Sequence, residues 1–262
     1  MIRKNFFLTV ILFMLVMPAL AFAQSSAETG SSSEKDAQSL LAAFMSYTDL
    51  RIRSVQRSLE ILASTTESRS GKWQSMKDLL SGYQKSDEGL IVWYVHPDGT
   101  YYTVDKGLIN EKLSDRSYFP DLMAGMKITG ALVVSKSTGQ RSAVIAVPVK
   151  KGDKVVGAVG ASLFLDKLSD QIGAALDLRP DVAFFALALN GLTTLHRKTD
   201  RHFLDPRELG SETLKKAAIE MLSGTSGKTT YEFDNATKNA IYRASALTHW
   251  RFAIAFSAAP QK

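Results

Sequence analysis

Between Asp36 and Thr66, apolar residues recur every three to four positions, at Leu41, Phe44, Ile52, Val55, Leu59 and Leu62, around polar Arg51, Arg53, Gln56 and Arg57. That spacing predicts one long amphipathic helix. A shorter helical stretch follows from Trp73 to Tyr83, with Gly82 as its stop. At Gly89 the pattern changes. Leu90-Ile91-Val92-Trp93-Tyr94-Val95 is a continuous apolar run, His96-Pro97-Asp98-Gly99 supplies turn chemistry, and Thr100-Tyr101-Tyr102-Thr103-Val104 is a second run, which together predict a hairpin. A polar helical segment is expected from Leu113 to Ala124. Three strands are expected after it, over Ala131–Ser135, Ala143–Val149 and Val155–Leu165, parted by Gly139 and the turn Lys151-Gly152-Asp153.

Asp166 to Leu176 reads as a connecting helix, closed by Arg179-Pro180-Asp181. The order then repeats in miniature. Strand Val182–Leu189, turn Asn190-Gly191, strand Leu192–Arg197 and helix Glu212–Leu222 precede strands Thr229–Phe233, Ala240–Leu247 and Trp250–Phe256. Each half thus has a hairpin, a helix and three more strands, and the fold class is α+β: a long N-terminal helix followed by two similar stacked modules, each an antiparallel sheet with flanking helices. The expected divisions are 1–23, an export signal; 24–35, a flexible leader; 36–88, the long and short helices; 89–165, the first module; 166–181, a connecting helix and linker; and 182–262, the second module.

The signal is read from its order. Arg3 and Lys4 precede an apolar run from Phe6 to Met17, then Pro18 and the small-residue stretch ending Ala21-Phe22-Ala23, so cleavage is expected after Ala23. The run is too short to span a membrane, which needs roughly 20 apolar residues, and no later run supplies a transmembrane anchor. The chain has no cysteine, which excludes both a lipid anchor at the cleavage site and a disulfide scaffold. A net charge of +6 for the whole chain, with both signs interspersed and no basic block, gives no footprint for nucleic acid. The Ser-, Glu- and Gly-rich stretch after the signal has almost nothing to bury. A soluble periplasmic location is expected.

The stretches Asp98-Gly99-Thr100, Leu113-Ser114-Asp115-Arg116-Ser117-Tyr118-Phe119, Ser135-Lys136-Ser137-Thr138-Gly139, Val144-Ile145-Ala146-Val147-Pro148-Val149 and Val156-Gly157-Ala158-Val159-Gly160 stand in an order that resembles the double Cache (PDC-like) extracytoplasmic sensor domains of bacterial chemoreceptors and sensor kinases. In the second half, Leu222-Ser223-Gly224-Thr225-Ser226-Gly227 before Tyr231, and the closing His249-Trp250, resemble the membrane-proximal Cache module. The resemblance covers nearly all of the chain after the signal. It implies two PAS-like modules, a small-molecule ligand held in the first, and a signal passed towards a membrane sensor kinase or chemoreceptor. It also implies that Arg116 of the D-R-x-[YW]-[FY] segment grips a carboxylate, a task suited to the two parallel donors of a guanidinium.

Tyr118 and Phe119 are expected to wall that pocket, and Tyr94, Tyr102, Ser135 and Ser162 to line it. The competing reading pairs Arg116 with Asp115 or Asp121 on the surface and packs the rings in the core. Amino-acid-binding members of the family carry an acidic residue at the start of the last strand and a Tyr before the T-G turn; in this chain those positions are Ser162 and Val133. Without a buried carboxylate an α-ammonium has no counter-charge. The expected ligand is therefore a small anion or a carboxylate lacking an amino group. The second module is expected to relay or scaffold, because Glu212–Leu222 holds neither an arginine nor an aromatic residue.

Other motifs point elsewhere and are weaker. Gly224-Thr225-Ser226-Gly227-Lys228-Thr229 lacks the first Gly of a phosphate loop, since Leu222 stands there, and Gly160-Ala161-Ser162 has Phe164 where a nucleophile elbow needs Gly. His196 and His202, with Asp200 and Asp205, match no metal-ligand spacing and are expected to be solvated loop residues. No catalytic residue, metal or cofactor is expected. The long helix could also serve as a homodimer seam. Besides the ligand-binding sensor, two readings stay open: an interaction or structural protein of the cell envelope, and an exported hydrolase.

Overall fold

The computed structural model describes residues 19–257, with side chains from Lys35 onward. Residues 1–18, which hold most of the expected export signal, lie outside the described residues. A compact unit begins at Gln38 and is the one described below.

Helix α1 spans Ala19–Ser64, so the stretch expected to be a flexible leader is helical backbone. Ala27, Glu28, Glu34 and Lys35 favour helix, and Ser and Gly cost at most about 1 kcal/mol each once the helix is nucleated. Leu41, Phe44, Ile52, Val55, Leu59 and Leu62 are all buried as their spacing predicts. Thr48 fills the turn the stripe lacks, its hydroxyl donating to the Phe44 carbonyl at 3.0 Å. The early part of this buried stripe meets the second module: the Phe44 ring lies 5.0 Å from Phe184 and 4.8 Å from Phe252. The later part meets the first, through Thr129 Oγ1 donating to Gln56 at 3.1 Å and an ion pair of Lys127 with Glu60 at 2.7 Å. Short helix α2 (Thr66–Arg69) and α3 (Trp73–Lys85) follow, the latter burying Trp73, Met76 and Leu80 on one face.

The first sheet contains β1 (Leu90–Val95), β2 (Thr100–Thr103), β3 (Gly107–Lys112), β4 (Ile128–Val134), β5 (Arg141–Lys151) and β6 (Lys154–Phe164) in the order β3-β2-β1-β6-β5-β4, with every pairing antiparallel. Strand β3 lies just before the expected polar helix, in a stretch for which the pattern predicts no element. It is an exposed edge strand, so no buried stripe announces it, and helix α4 shrinks to Phe119–Met123 with Pro120 in its first turn. Helix α5 (Leu165–Leu176) leads to the second sheet: β7 (Val182–Leu187), β8 (Thr193–His196), β9 (Ser226–Phe233), β10 (Ala236–Ala244) and β11 (Arg251–Ser257), in the order β8-β7-β11-β10-β9, with helix α6 (Glu212–Ser223) before β9. Without β3, the first sheet has the same connectivity as the second. The expected repeat of hairpin, helix and three strands is therefore present in the α+β fold.

Candidate functional site

The site is built on the DGT turn and the segment it supports. Gly99 takes φ +85°, and a Cβ there would lie 2.8 Å from the Ser114 backbone nitrogen, so only Gly lets the chain pass. Its carbonyl accepts the Leu113 N–H at 2.9 Å, and the Leu113 carbonyl accepts the Arg116 N–H at 3.0 Å. That turn places Arg116 and Tyr118 over the sheet. On the sheet itself, Trp93 pairs with Gly160, where a Cβ would come within 2.2 Å of the indole. The bare glycine thus makes the slot in which the indole lies. Trp93 Nε1 donates to Ser162 Oγ at 3.2 Å.

Trp93, Tyr101, Arg116, Tyr118, Ser135 and Ser162 line one cavity of about 20 Å³, with Val133 and Lys136 among its other walls. A space of about 10–15 Å³ is what one water needs, so the cavity as it stands has room for little more than one. No Asp or Glu lines it. Arg116 Nη2 donates to the Val134 carbonyl at 2.8 Å, while Arg116 Nε and Tyr101 Oη are the two buried side-chain polar atoms without a partner among the described residues. Both belong to this cavity. A buried donor left unmade costs about 1–3 kcal/mol, so two of them lining one space favour an acceptor that enters it. Burial pushes the Tyr101 phenol up to about 12 and raises Tyr118 too, so both hydroxyls stay protonated at neutral pH and can donate.

Asp115 does not pair with Arg116 in this arrangement. It holds Lys136 at 2.8 Å, Glu111 stands 3.6 Å from the same ammonium, and the Lys112 carbonyl accepts from it at 2.6 Å. The cavity's lysine is thus satisfied and its arginine is not.

Of the residues expected at the site, Arg116, Tyr118, Ser135 and Ser162 come together. Phe119 packs in the core cluster beside the cavity and does not line it. Tyr94 and Tyr102 lie elsewhere: Tyr94 donates to the Val156 carbonyl at 3.2 Å, and Tyr102 stacks on Trp73 of α3 at 5.1 Å. Alternate residues of a strand face opposite sides of its sheet, so Trp93 and Tyr101, one position earlier in each strand, are the rings that reach the cavity. Neither is among the residues expected at the site. A strict count by twos from Ser162 through its neighbour strands is the signal that finds Trp93.

No protein-family model matches the chain, and no curated protein matches it. Solved structures do. The extracellular domain of a candidate histidine kinase, rpHK1S-Z16, superposes with a TM-score of 0.72 at 19% identity, over 87% of this chain and 95% of that one. The sensory domain of the Campylobacter jejuni chemoreceptor Tlp3, solved with isoleucine bound, gives 0.67 at 13% identity, over 88% and 95%. The ligand-binding domain of the Pseudomonas fluorescens chemoreceptor CtaA, in complex with L-isoleucine, gives 0.65 at 14% identity, over 92% and 97%. The fold is that of a double Cache sensor domain. Its neighbours are extracellular sensory domains, and no described helix of this chain is long and apolar enough to cross a membrane.

The second module departs from expectation at its histidines. His202 is fully buried, its Nδ1 2.6 Å from an Asp166 oxygen and its Nε2 3.0 Å from Ser169 Oγ. It joins the second module to α5. The order Ser, His, Asp is that of a hydrolase relay, yet Ser169 is 3% exposed, which leaves its hydroxyl no route to an ester. Asp205 holds Arg207 instead of a histidine, and among the described residues no three His, Asp or Glu side chains gather as a metal site. The helix-to-strand passage at Gly224 runs opposite to a phosphate loop.

Proposed function

We propose that the chain is a periplasmic sensor module, without catalytic activity, that binds a small anion or a carboxylate lacking an amino group in its first Cache module and reports to a membrane kinase or chemoreceptor. The observation that carries this reading is the convergence of Arg116 Nε and Tyr101 Oη, both buried and unpartnered, on one cavity with no carboxylate in its wall. An incoming carboxylate supplies the missing acceptors in one step, one oxygen to the guanidinium and one to the phenol. Tlp3 and CtaA were solved with amino acids. In this chain Ser162 and Val133 stand at the positions read as carrying an acid and a Tyr in amino-acid binders, so an α-ammonium would be buried without a counter-charge.

The test is a thermal-shift screen of the purified protein with acetate, propionate, pyruvate, lactate and phosphate against L-isoleucine and L-serine. At about 100 times its dissociation constant a ligand stabilises by roughly 2.7 kcal/mol, a rise of several degrees. At least one anion without an ammonium should give that rise, and the amino acids should not. Response to an amino acid alone would overturn the ligand class. Silence towards every compound would favour an interaction protein with a closed first module.

A further inference from the structure

We propose that the second module carries a ligand site of its own, in the cavity bounded by β8, β9 and the 3-10 turns between β8 and α6, and that it takes a small uncharged molecule with an apolar body and one hydrogen-bond acceptor. This stands independently of the first-module reading. The cavity measures about 40 Å³, twice that of the first module, and its wall includes Phe185, Thr193, His196, Leu214, Tyr231 and Phe233. Phe185, Thr193, Leu214 and Tyr231 are buried, whereas Leu204 at 41% exposure gives the space a mouth. Apolar side chains around a void give up the dispersion contacts that a filled core would make, and an apolar molecule restores them.

The polar groups in the wall decide the class. His196 Nδ1 accepts the Lys198 N–H at 2.7 Å, so the ring proton sits on Nε2, which becomes the donor the site can offer. Burial first, then the nearby Arg201 cation, push His196 down to about 3, and the ring stays neutral at physiological pH. It is stacked on Phe185 with centroids 6.2 Å apart, which fixes its orientation. Arg201 has its charge met: it pairs with Asp234 at 2.6 Å and lies over the Phe233 ring at 4.7 Å. Lys198 reaches the same carboxylate at 3.5 Å from a solvated position. No cationic group in the wall awaits an anion, in contrast to Arg116, so a charged ligand would lose its hydration without a counter-charge in return.

The wall is also mechanically placed. The segment that contributes Thr193, His196, Arg201 and Leu204 carries His202, whose ring holds Asp166 and Ser169 of the helix joining the modules. An occupant therefore bears on the joint itself. Helix α6 lacks arginine and aromatic residues, but it gives this cavity only Leu214.

Isobutyramide and 2-butanone, each titrated to tens of millimolar into the methyl-labelled mature protein, test the proposal by NMR. At least one should shift the Leu204, Leu209 and Leu214 methyls saturably while leaving those of Val133 and Val144 in place. Isobutyrate, the same shape with a charge, should bind at least about tenfold more weakly. His196→Phe keeps the stacking and removes the donor, and should weaken binding about three- to tenfold, the effect of one hydrogen bond. Thr193→Leu fills the space and should abolish the shifts, with the spectrum of each variant reporting whether it folds. Absence of saturable shifts with both neutral probes, or equal binding of isobutyrate, would overturn the proposal, as would an unchanged response in both variants if they fold.

Discussion

The two modules repeat one connectivity, yet their cavities present opposite chemistry. In the first, Arg116 Nε and the Tyr101 hydroxyl are buried without a protein partner, and the lysine beside them is already held by Asp115 and the Lys112 carbonyl. In the second, the arginine is paired with Asp234, the imidazole is kept neutral, and most of the wall is apolar. The sheet order does not set this difference. It comes from which charge the loops leave without a partner: the turn ending at Arg116 carries its acid, Asp115, outward to Lys136, whereas the two-residue turn Asp234-Asn235, with both φ values positive, brings an acid back to Arg201. Two modules of one connectivity thus present different charge through the placement of one carboxylate.

The strongest way to break this comparison is to remove the unmet cation. Arg116→Ala deletes a charge-assisted contact, and truncating one partner of such a buried pair costs about 2–5 kcal/mol of binding, at least about thirtyfold in affinity. Calorimetry with the anion found in the screen should show that loss, with little change in the apo melting temperature. Arg116→Lys should recover only part, since an ammonium cannot reproduce the fork. An undiminished affinity in Arg116→Ala would place the anchor elsewhere.

Next in size is a pair of glycines. Gly160→Ala drives a methyl group into the Trp93 indole, 2.2 Å away, and overpacking of this kind costs about 1–3 kcal/mol; it should also displace the ring that walls the first cavity. Gly173 lies inside α5, where an added Cβ meets only Phe184 at 3.8 Å, an ordinary contact. Gly173→Ala should therefore stabilise, by about 0.5–1 kcal/mol. Urea melts of both variants read the two signs directly, and a neutral Gly160→Ala would show that the slot for Trp93 is not tight.

The modules should also part on acidification. Two histidines lie largely out of water, both in the second module, and burial is the first cause lowering each: His196, further opposed by Arg201, and His202, opposed by Arg141 but supported by Asp166 and Asp170. A histidine with a depressed folded pKa leaves the unfolded chain with more bound protons, so stability is full above the unfolded value near 6.5 and is lost as pH falls below it. His196 alone accounts for a loss on the order of 1–2 kcal/mol at pH 5. Hydrogen exchange should show β7, β8 and β11 opening before β1 and β6 as pH drops from 7 to 5. A uniform response, or an unchanged one in both His196→Gln and His202→Gln, would remove the histidines as the cause.

Much of this was legible in the chain. The stripe from Leu41 to Leu62 names one helix face because its period is unambiguous, and the repeated hairpin, helix and strands follow from turn residues. Arg116, Ser135 and Ser162 were reachable through their motifs. Tyr94 falls on the wrong face because β1 is buried on both faces, so hydrophobicity alone does not tell which side holds the cavity, and Tyr102, its cross-strand partner on β2, falls with it. Edge strand β3 left no trace because four of its six residues are exposed. The burial of His202 depends on Asp166 and Ser169, more than thirty residues away, and no local pattern encodes such a partner.

The smallest effect separates the two faces of one sheet. Tyr94 and Tyr101 sit on adjacent strands, both are buried, and burial pushes both phenols up to about 12. Only Tyr94 has a partner: its hydroxyl donates to the Val156 carbonyl at 3.2 Å, on the face away from the cavity. Tyr94→Phe should therefore cost about 0.5–1.5 kcal/mol of stability, the net value of one hydrogen bond, and leave anion affinity unchanged. Tyr101→Phe removes a donor that has no protein partner, so it should cost less apo stability than Tyr94→Phe while weakening anion binding by about three- to tenfold. Paired melts and calorimetry on the two variants measure all four quantities. Loss of apo stability in Tyr101→Phe comparable to that in Tyr94→Phe would mean that Tyr101 already has a partner and is not the donor that an anion meets in the first cavity.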